Sequence, residues 1–357
     1  QENDALLIKP ESEELFRSIC ERESCVWAIV GEVTGDGKVV LFDSQNGKNA
    51  FDLPLTAVLG KMPQKTFESE RFDSLGAKLH IPKAITLRTV LERVLRHLSV
   101  GSKRFLTTKI DRSVTGLIAQ QPCVGPLHIP LADYGVTAQS YFTKTGAATS
   151  IGEQPVLGLI NPEAMARMTV GESLTNIVFA ATQPMDHIKA SGNWMWPAKL
   201  PGEADSIYRA CEAMSNCMIQ LGVAIDGGKD SLSMAAKSGT KSQHHNNHTE
   251  ELVKAPGTLV VSLYAPMEDI SLKIGPAIRC PGKSTLIFID MGLGKQRLGG
   301  SILAQSYAQL GDESPDMDDP AAFSVAWNAI RRLITEGRVL AGHDRSDGGL
   351  IVTLLEM

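Results

Sequence analysis

The stretch DSIYRACEAMSNCMIQLGVAID, Asp205 to Asp226, decides the fold class. Ile207, Cys211, Met214, Met218 and Leu221 recur at helical spacing on one face, Gly222 is a stop signal, and Val223–Asp226 follows as a strand. A helix that runs straight into a short apolar strand implies layers of mixed type, so the class is α+β or α/β. Composition alone does not decide between the two.

The same alternation extends in both directions. Upstream, Thr169–Ala181 predicts a helix. Lys83–Ser99 predicts another, with Leu87, Val90, Leu91, Val94, Leu95 and Leu98 in register, and Arg104–Ile110 reads as a strand. In the first sixty residues Leu15–Cys20 reads as helix and Cys25–Gly31 (CVWAIVG) as a buried strand. A turn at Thr34–Gly37 then leads to a strand at Lys38–Phe42. Lys61–Phe72 is polar, contains Pro63 and has no apolar period, as a linker would. Downstream, Thr258–Ala265, Ser284–Asp290 and Arg338–Gly342 read as strands. Met291–Gly300 reads as a Gly-rich turn, and Ala321–Glu336 as a helix with Phe323, Trp327, Ile330 and Ile334 on one face. The chain closes at Met357 inside an expected helix. Ser238–Glu251 is polar and reads as a mobile surface loop. Its His244, His245 and His248 are either a solvated insertion or a metal set without a matching Cys or carboxylate partner.

At 357 residues the chain has room for two to three domains. Apolar residues are 43% and charged residues 21%, with a formal net charge of -5 and no Lys/Arg block. That balance argues against nucleic acid and anionic lipid as partners. The longest apolar runs are strand-sized, which argues against a membrane span, and the first residues lack a signal-peptide pattern. The six cysteines are scattered without a C-x-x-C pair, as expected of reduced thiols in a cytoplasmic protein. Cys211 and Cys217 lie within a helical pattern and are expected in the core.

Several polar clusters offer chemistry. Glu172 and Asn176, four apart in GESLTNIVFAA, share a helix face opposite Leu174, Val178 and Ala181. A carboxylate and an amide oxygen at that spacing suit Mg²⁺; taken alone, the pair reads first as a solvated face. In HDRSDGG, His343 to Gly349, two aspartates stand between a strand and a helix start. A phosphate there needs a divalent cation to stand beside them; the alternative is an N-cap box built on Ser346 or Asp347. DGGKDS, Asp226 to Ser231, either wraps a phosphate or makes a tight turn. No P-loop spacing and no G-x-G-x-x-G between strand and helix is present. Asp133 in PLADYG is a loop acid, and Lys103 precedes an expected strand.

Six segments occur in the order found in the large, single-chain phosphoribosylformylglycinamidine synthase family, which this sequence resembles over essentially its whole length. They are DRSVTG (Asp111–Gly116), VGPLHIPLAD (Val124–Asp133), GESLTNI (Gly171–Ile177), KASGNWM (Lys189–Met195), GGKDSLSM (Gly227–Met234) and HDRSDGGL (His343–Leu350). The resemblance implies an aminoimidazole-ribotide-synthetase-like N-terminal domain flanked by parts of C-terminal α/β domains. It divides the chain into 1–62 (end of a first-repeat C-terminal domain), 63–80 (linker), 81–266 (second-repeat N-terminal domain) and 267–357 (start of its C-terminal domain). It further implies that Asp133, Glu172, Asn176 and Asp344 bind Mg²⁺, and that Ala132, Ser346 and Lys103 contact an ATP or ADP nucleotide. The reaction implied for the family is ATP-dependent amidation of formylglycinamide ribonucleotide by ammonia drawn from glutamine, in purine biosynthesis. The partners implied are these small molecules together with a first repeat and a glutaminase domain on the same polypeptide. Two departures stand out. No cysteine sits in a nucleophile-elbow context, and the T-H-N-H-P type segment is replaced by ADYGVTAQSY, Ala132–Tyr141. The resemblance therefore implies an auxiliary, structural nucleotide site here, with no catalytic residue assigned. Shorter relatives of the superfamily, such as selenophosphate synthetase and thiamine-monophosphate kinase, are the rivals within the enzyme class. A nucleotide-stabilised scaffold is the rival outside it.

Overall fold

The computed structural model describes residues 3–64, 66–72, 76–107, 116–125, 127–239 and 250–357. The chain forms two compact units, Gln1–Thr66 and Phe67–Met357. In the first, a 3-10 turn leads into α1 (Glu13–Arg22), and Phe16 on α1 meets Trp27 edge to face at 5.8 Å. Strands β1 (Lys38–Asp43) and β2 (Lys48–Pro54) form an antiparallel hairpin, followed by α2 (Leu55–Leu59). The expected strand at Cys25–Gly31 is not formed. No described segment pairs with it, and Val26 and Val30 are almost fully exposed. A strand needs a partner ladder as well as apolar side chains.

The second unit opens with α3 (Leu87–Leu95), started by the Thr86 hydroxyl, which accepts from the Thr89 N–H, and ending before Ser99. Arg104–Thr107 is a helical turn, α4, where a strand is expected; residues 108–110 lie outside the described residues. So do most of the DRSVTG segment and His244, His245 and His248 of the polar insertion. Short strands β3 (Ile118–Gln120), β4 (Cys123–Val124) and β5 (Ile129–Pro130) precede β6 (Tyr134–Ala138) and β7 (Gly146–Glu153). Then come α5 (Pro155–Gly158), α6 (Pro162–Ile177), β8 (Lys189–Met195), α7 (Glu203–Leu221) and β9 (Ala224–Ser231). The hairpin β10 (Ala235–Gly239) and β11 (Glu250–Lys254) is followed by β12 (Thr258–Met267), α8 (Ile302–Gln305), α9 (Pro320–Thr335) and α10 (Leu350–Glu356).

Six strands make one sheet in the order β3-β6-β7-β12-β8-β9. Every neighbour pair is antiparallel except β8 and β9, which run parallel because α7 carries the chain across between them. Alternate residues of β12, namely Leu259, Val261, Leu263, Ala265 and Met267, are buried in one core with Val170, Leu174 and Ile177 of α6 and Met214, Met218 and Leu221 of α7. Phe323 and Trp327 of α9 close that core. A smaller cluster joins Val94 of α3, Ile302 of α8 and Val352 of α10.

Local chemistry explains the element ends. Asn161 accepts from the Ala164 N–H and Pro162 takes the first turn, so α6 begins earlier than its apolar period suggests. Gly222 ends α7 with φ +75, as its stop signal requires. Cys217 is buried, but Cys211 is exposed, which corrects the expectation that both are core. DGGKDS is neither a turn nor a phosphate loop: it is extended in β9, hydrogen-bonded to β8. Its Gly228 lies so close to Gly192 that a Cβ would stand 2.3 Å from the Gly192 carbonyl oxygen. Ser284–Asp290 and Arg338–Gly342 are not strands, because no described segment offers them a ladder.

Candidate functional site

Asp133 occupies the tight connection between β5 and β6. The Ala132 N–H donates to the Pro122 carbonyl at 3.0 Å, which fixes the approach to it. Tyr134, the next residue, is buried and its hydroxyl reaches the Ile274 carbonyl at 2.8 Å, which anchors the start of β6. Asp344 arrives from the other end of the unit, on the irregular segment before α10. Gly348 and Gly349 turn that segment into the helix at φ +91 and +74, a region open chiefly to glycine. The helix N-cap is Gly349 and makes no side-chain cap bond, so neither Ser346 nor Asp347 caps it. The Thr353 hydroxyl donates to the Asp344 carbonyl at 3.0 Å. The Asp344 N–H in turn makes a long hydrogen bond, 3.4 Å, to the Asp133 carboxylate.

His343 binds this pair together. Its Nδ1 lies 3.4 Å from Asp133 and 3.2 Å from Asp344, and its Nε2 lies 3.1 Å from Glu356. The imidazole, Asp133 and Asp344 are nearly out of solvent, with side-chain exposures of 6%, 11% and 4%. Burial opposes a charged imidazole, but hydrogen bonds to Asp133, Asp344 and Glu356 outweigh it and push His343 up to about 12. These bonds favour the imidazolium form of the ring. Burial, with the Asp344 charge adding, pushes Asp133 up to about 6 against the pull of His343. Three carboxylates around one imidazolium leave the cluster negative.

Glu172 sits on α6 beside this cluster. Its Oε2 accepts the Glu153 N–H at 2.7 Å, tying α6 to the end of β7. Burial, reinforced by the charges of Asp344 and Glu153, pushes Glu172 up to about 8. It therefore feels Asp344, yet it is outside the group of Asp133, His343 and Asp344 whose ligand atoms all lie within 4.8 Å of one another. Asn176 turns its Nδ2 to the Ile151 carbonyl at 2.8 Å, toward the sheet. The Lys103 ammonium donates to the carbonyls of Leu98 and Gly101. Desolvation of the Asp347 carboxyl, with the Asp344 charge adding, raises its pKa against the opposing pull of His97 and Lys103. Ser346 is exposed, two positions after Asp344.

The structure thus brings Asp133 and Asp344 into contact, sets Glu172 within electrostatic reach, and leaves Asn176, Lys103 and Ser346 on the margin. Carboxylate oxygens in a buried, net-negative cluster fit a hard divalent cation such as Mg²⁺. His343 and Glu356 carry no role in the sequence reading. His343 stands next to Asp344 in a segment already singled out, which is a local signal; nothing local points to Glu356.

The family models that match the chain are of the aminoimidazole-ribotide-synthetase class. A family model for the FGAR-AT PurM_N-like domain matches residues 102–266. A second, for the C-terminal domain of AIR synthase related proteins, matches residues 291–357. The chain is 47% identical to the phosphoribosylformylglycinamidine synthase of Drosophila melanogaster and 45% identical to that of Homo sapiens. Each comparison covers 100% of this chain and 27% of the relative. The chain belongs to the phosphoribosylformylglycinamidine synthase family and spans about a quarter of the length of these curated relatives. Among solved structures, a T. maritima PurL complexed with FGAR aligns with a TM-score of 0.50 at 15% identity, covering 92% of this chain and 42% of that one. At that identity the likeness concerns the fold, which is α+β with the AIR synthase arrangement. Among the described residues, no helix is long and apolar enough to cross a membrane.

Proposed function

We propose that this chain is the part of an ATP-dependent formylglycinamide ribonucleotide amidotransferase that holds an auxiliary Mg²⁺–nucleotide complex. The convergence of Asp133 and Asp344 from opposite ends of the unit, inside a buried and net-negative cluster, carries the reading. Asp133, Asp344 and Glu172 would supply oxygens to the cation, with Asn176 a further donor on the same helix. Ala132, Ser346 and Lys103 would flank the nucleotide. When bound, the cation would neutralise phosphate charge beside the acids. This chain's own residues would fix its position: β6 and α10 hold the two aspartates, and the Glu153 N–H orients Glu172.

The activity proposed for the whole polypeptide is that of the family. ATP activates the amide oxygen of formylglycinamide ribonucleotide, and ammonia from glutamine displaces phosphate. A first repeat and a glutaminase domain on the same polypeptide would complete it, in a cytoplasmic setting consistent with six free cysteines. Residues 1–62, 63–80, 81–266 and 267–357 are proposed as its domain divisions in this region. The auxiliary role is supported by the ADYGVTAQSY segment, which holds no histidine and whose Tyr134 and Val136 are buried in the sheet.

The test uses the full-length polypeptide. Nucleotide retained through purification is counted per chain in wild type and in Asp133→Asn and Asp344→Asn. The wild type is then run through many turnovers with labelled ATP. Loss of one retained nucleotide in both variants, with the retained nucleotide unlabelled after turnover in wild type, is expected. Label entering that position at the rate of product formation defeats the auxiliary reading, and unchanged retention in both variants defeats the site.

A further inference from the structure

Helix α10 presents two side chains to the segment that carries Asp344. Thr353 and Glu356 are three apart, so they share one helix face. Thr353 holds the Asp344 main chain through its hydroxyl, at 3.0 Å from the carbonyl oxygen. Glu356 instead reaches the neighbouring ring, its Oε2 3.1 Å from His343 Nε2. The other edge of that ring meets Asp133 and Asp344 together, at 3.4 and 3.2 Å. With Nε2 at hydrogen-bond distance from a carboxylate, the ring's Nδ1 edge is held against the two aspartates. Buried ring orientation of this kind is set by such an outer hydrogen bond. At 33% side-chain exposure Glu356 stands at the rim, outside the enclosed cluster.

We propose that Glu356 is a positioning residue of the cation site: by anchoring His343 through Nε2, it holds the carboxylates of Asp133 and Asp344 in the orientation that receives a divalent cation. Glu356 does not touch the cation. It acts through His343, and it ties the helix that follows the site to the acids of the site. The proposal rests on the cation-site reading given above.

The full-length polypeptide tests it with Mn²⁺ as a spin probe for the divalent cation. Affinity is measured for wild type, Glu356→Ala, Glu356→Gln and Asp344→Asn, each with its melting temperature in chelator. Glu356→Ala is expected to weaken Mn²⁺ about tenfold, measured at a temperature where it and wild type are both fully folded in chelator. Glu356→Gln, whose amide oxygen still accepts from Nε2–H, is expected to restore most of the affinity. Wild-type affinity in Glu356→Ala overturns the proposal while Asp344→Asn still loses the ion. So does a weakened affinity in Glu356→Ala that Glu356→Gln fails to restore. If Asp344→Asn binds Mn²⁺ as wild type does, the cation-site reading itself falls, and the role of Glu356 falls with it.

Discussion

Trp327 donates its indole Nε1–H to the carbonyl of Leu174 at 2.8 Å, joining α9 to the last turn of α6 across 153 positions of sequence. Carbonyls at a helix C-terminus have run out of main-chain donors, so a buried indole serves one of them here. Trp327 is itself buried in the main core. The contact bolts the layer formed by α9 onto the helix that carries Glu172.

Trp327→Phe keeps an aromatic ring but strands that carbonyl without a donor. A destabilisation of about 1–3 kcal/mol is expected, read as a lower midpoint in urea with the slope unchanged. No loss would mean that water reaches the Leu174 carbonyl.

Gly152 lies where β7 passes under α6. A Cβ there would stand 2.3 Å from the Thr169 carbonyl oxygen and 2.6 Å from the Ser173 N. Gly152→Ala is therefore expected to push α6 off the sheet at about 1–3 kcal/mol. It should also weaken cation binding, because the Glu153 N–H that orients Glu172 is the next main-chain donor along. Equilibrium unfolding and Mn²⁺ titration on one preparation check both halves.

Arg167 grips Asp316 with two parallel hydrogen bonds of 2.7 Å each, pinning the segment before α9 to α6. Both side chains are about three-quarters or more out of solvent. Arg167→Leu is expected to cost about 1.5–3 kcal/mol, the range for a hydrogen-bonded charge pair. Asp316→Leu added to it should recover part of that loss, since no charge is then left unpaired. Additive losses in the double-mutant cycle would show that the pair is not coupled.

The acid cluster also sets a pH dependence. Asp133 and Glu172 titrate in the fold near 6 and 8, above their ordinary values of 3.8 and 4.5, and His343 rises from 6.5 to about 12. In every case the folded state binds the proton more tightly than the unfolded state. The slope of stability with pH is then negative, from about pH 4 upward through neutrality. In chelator the chain is expected to melt at a higher temperature at pH 5.5 than at pH 8.5. Glu172→Gln should flatten that difference, and Mg²⁺ should narrow it by favouring the ionised acids. A melting temperature that rises with pH would contradict the cluster.

How far the sequence reveals this molecule depends on how local each feature is. Helix α7 is legible because its face and its Gly222 stop lie in one stretch, and α9 because Phe323, Trp327 and Ile334 keep register. Helix α6 carries its start signal, Asn161 before Pro162, outside its apolar period. Strands are harder, since pairing belongs to the partner. The segments CVWAIVG and STLIFID have strand composition and no ladder, whereas DGGKDS has turn composition and a parallel neighbour in β8. At the site, Asp133 and Asp344 are legible through their segments. Glu356 is not, because its meaning is conferred by a ring thirteen positions away and by an acid contributed from the β5–β6 connection.

The 211 positions between Asp133 and Asp344 also set a clock. At translation rates of ~5–20 residues per second, Asp133 emerges ~10–40 s before its partner exists. Strands β6, β7, β8, β9 and β12 and helix α6 are made in that interval, so the acid pair cannot guide their assembly. A cation held by both acids, as proposed, can be captured only after the segment carrying Asp344 has been made, so its binding would report that synthesis has passed that segment.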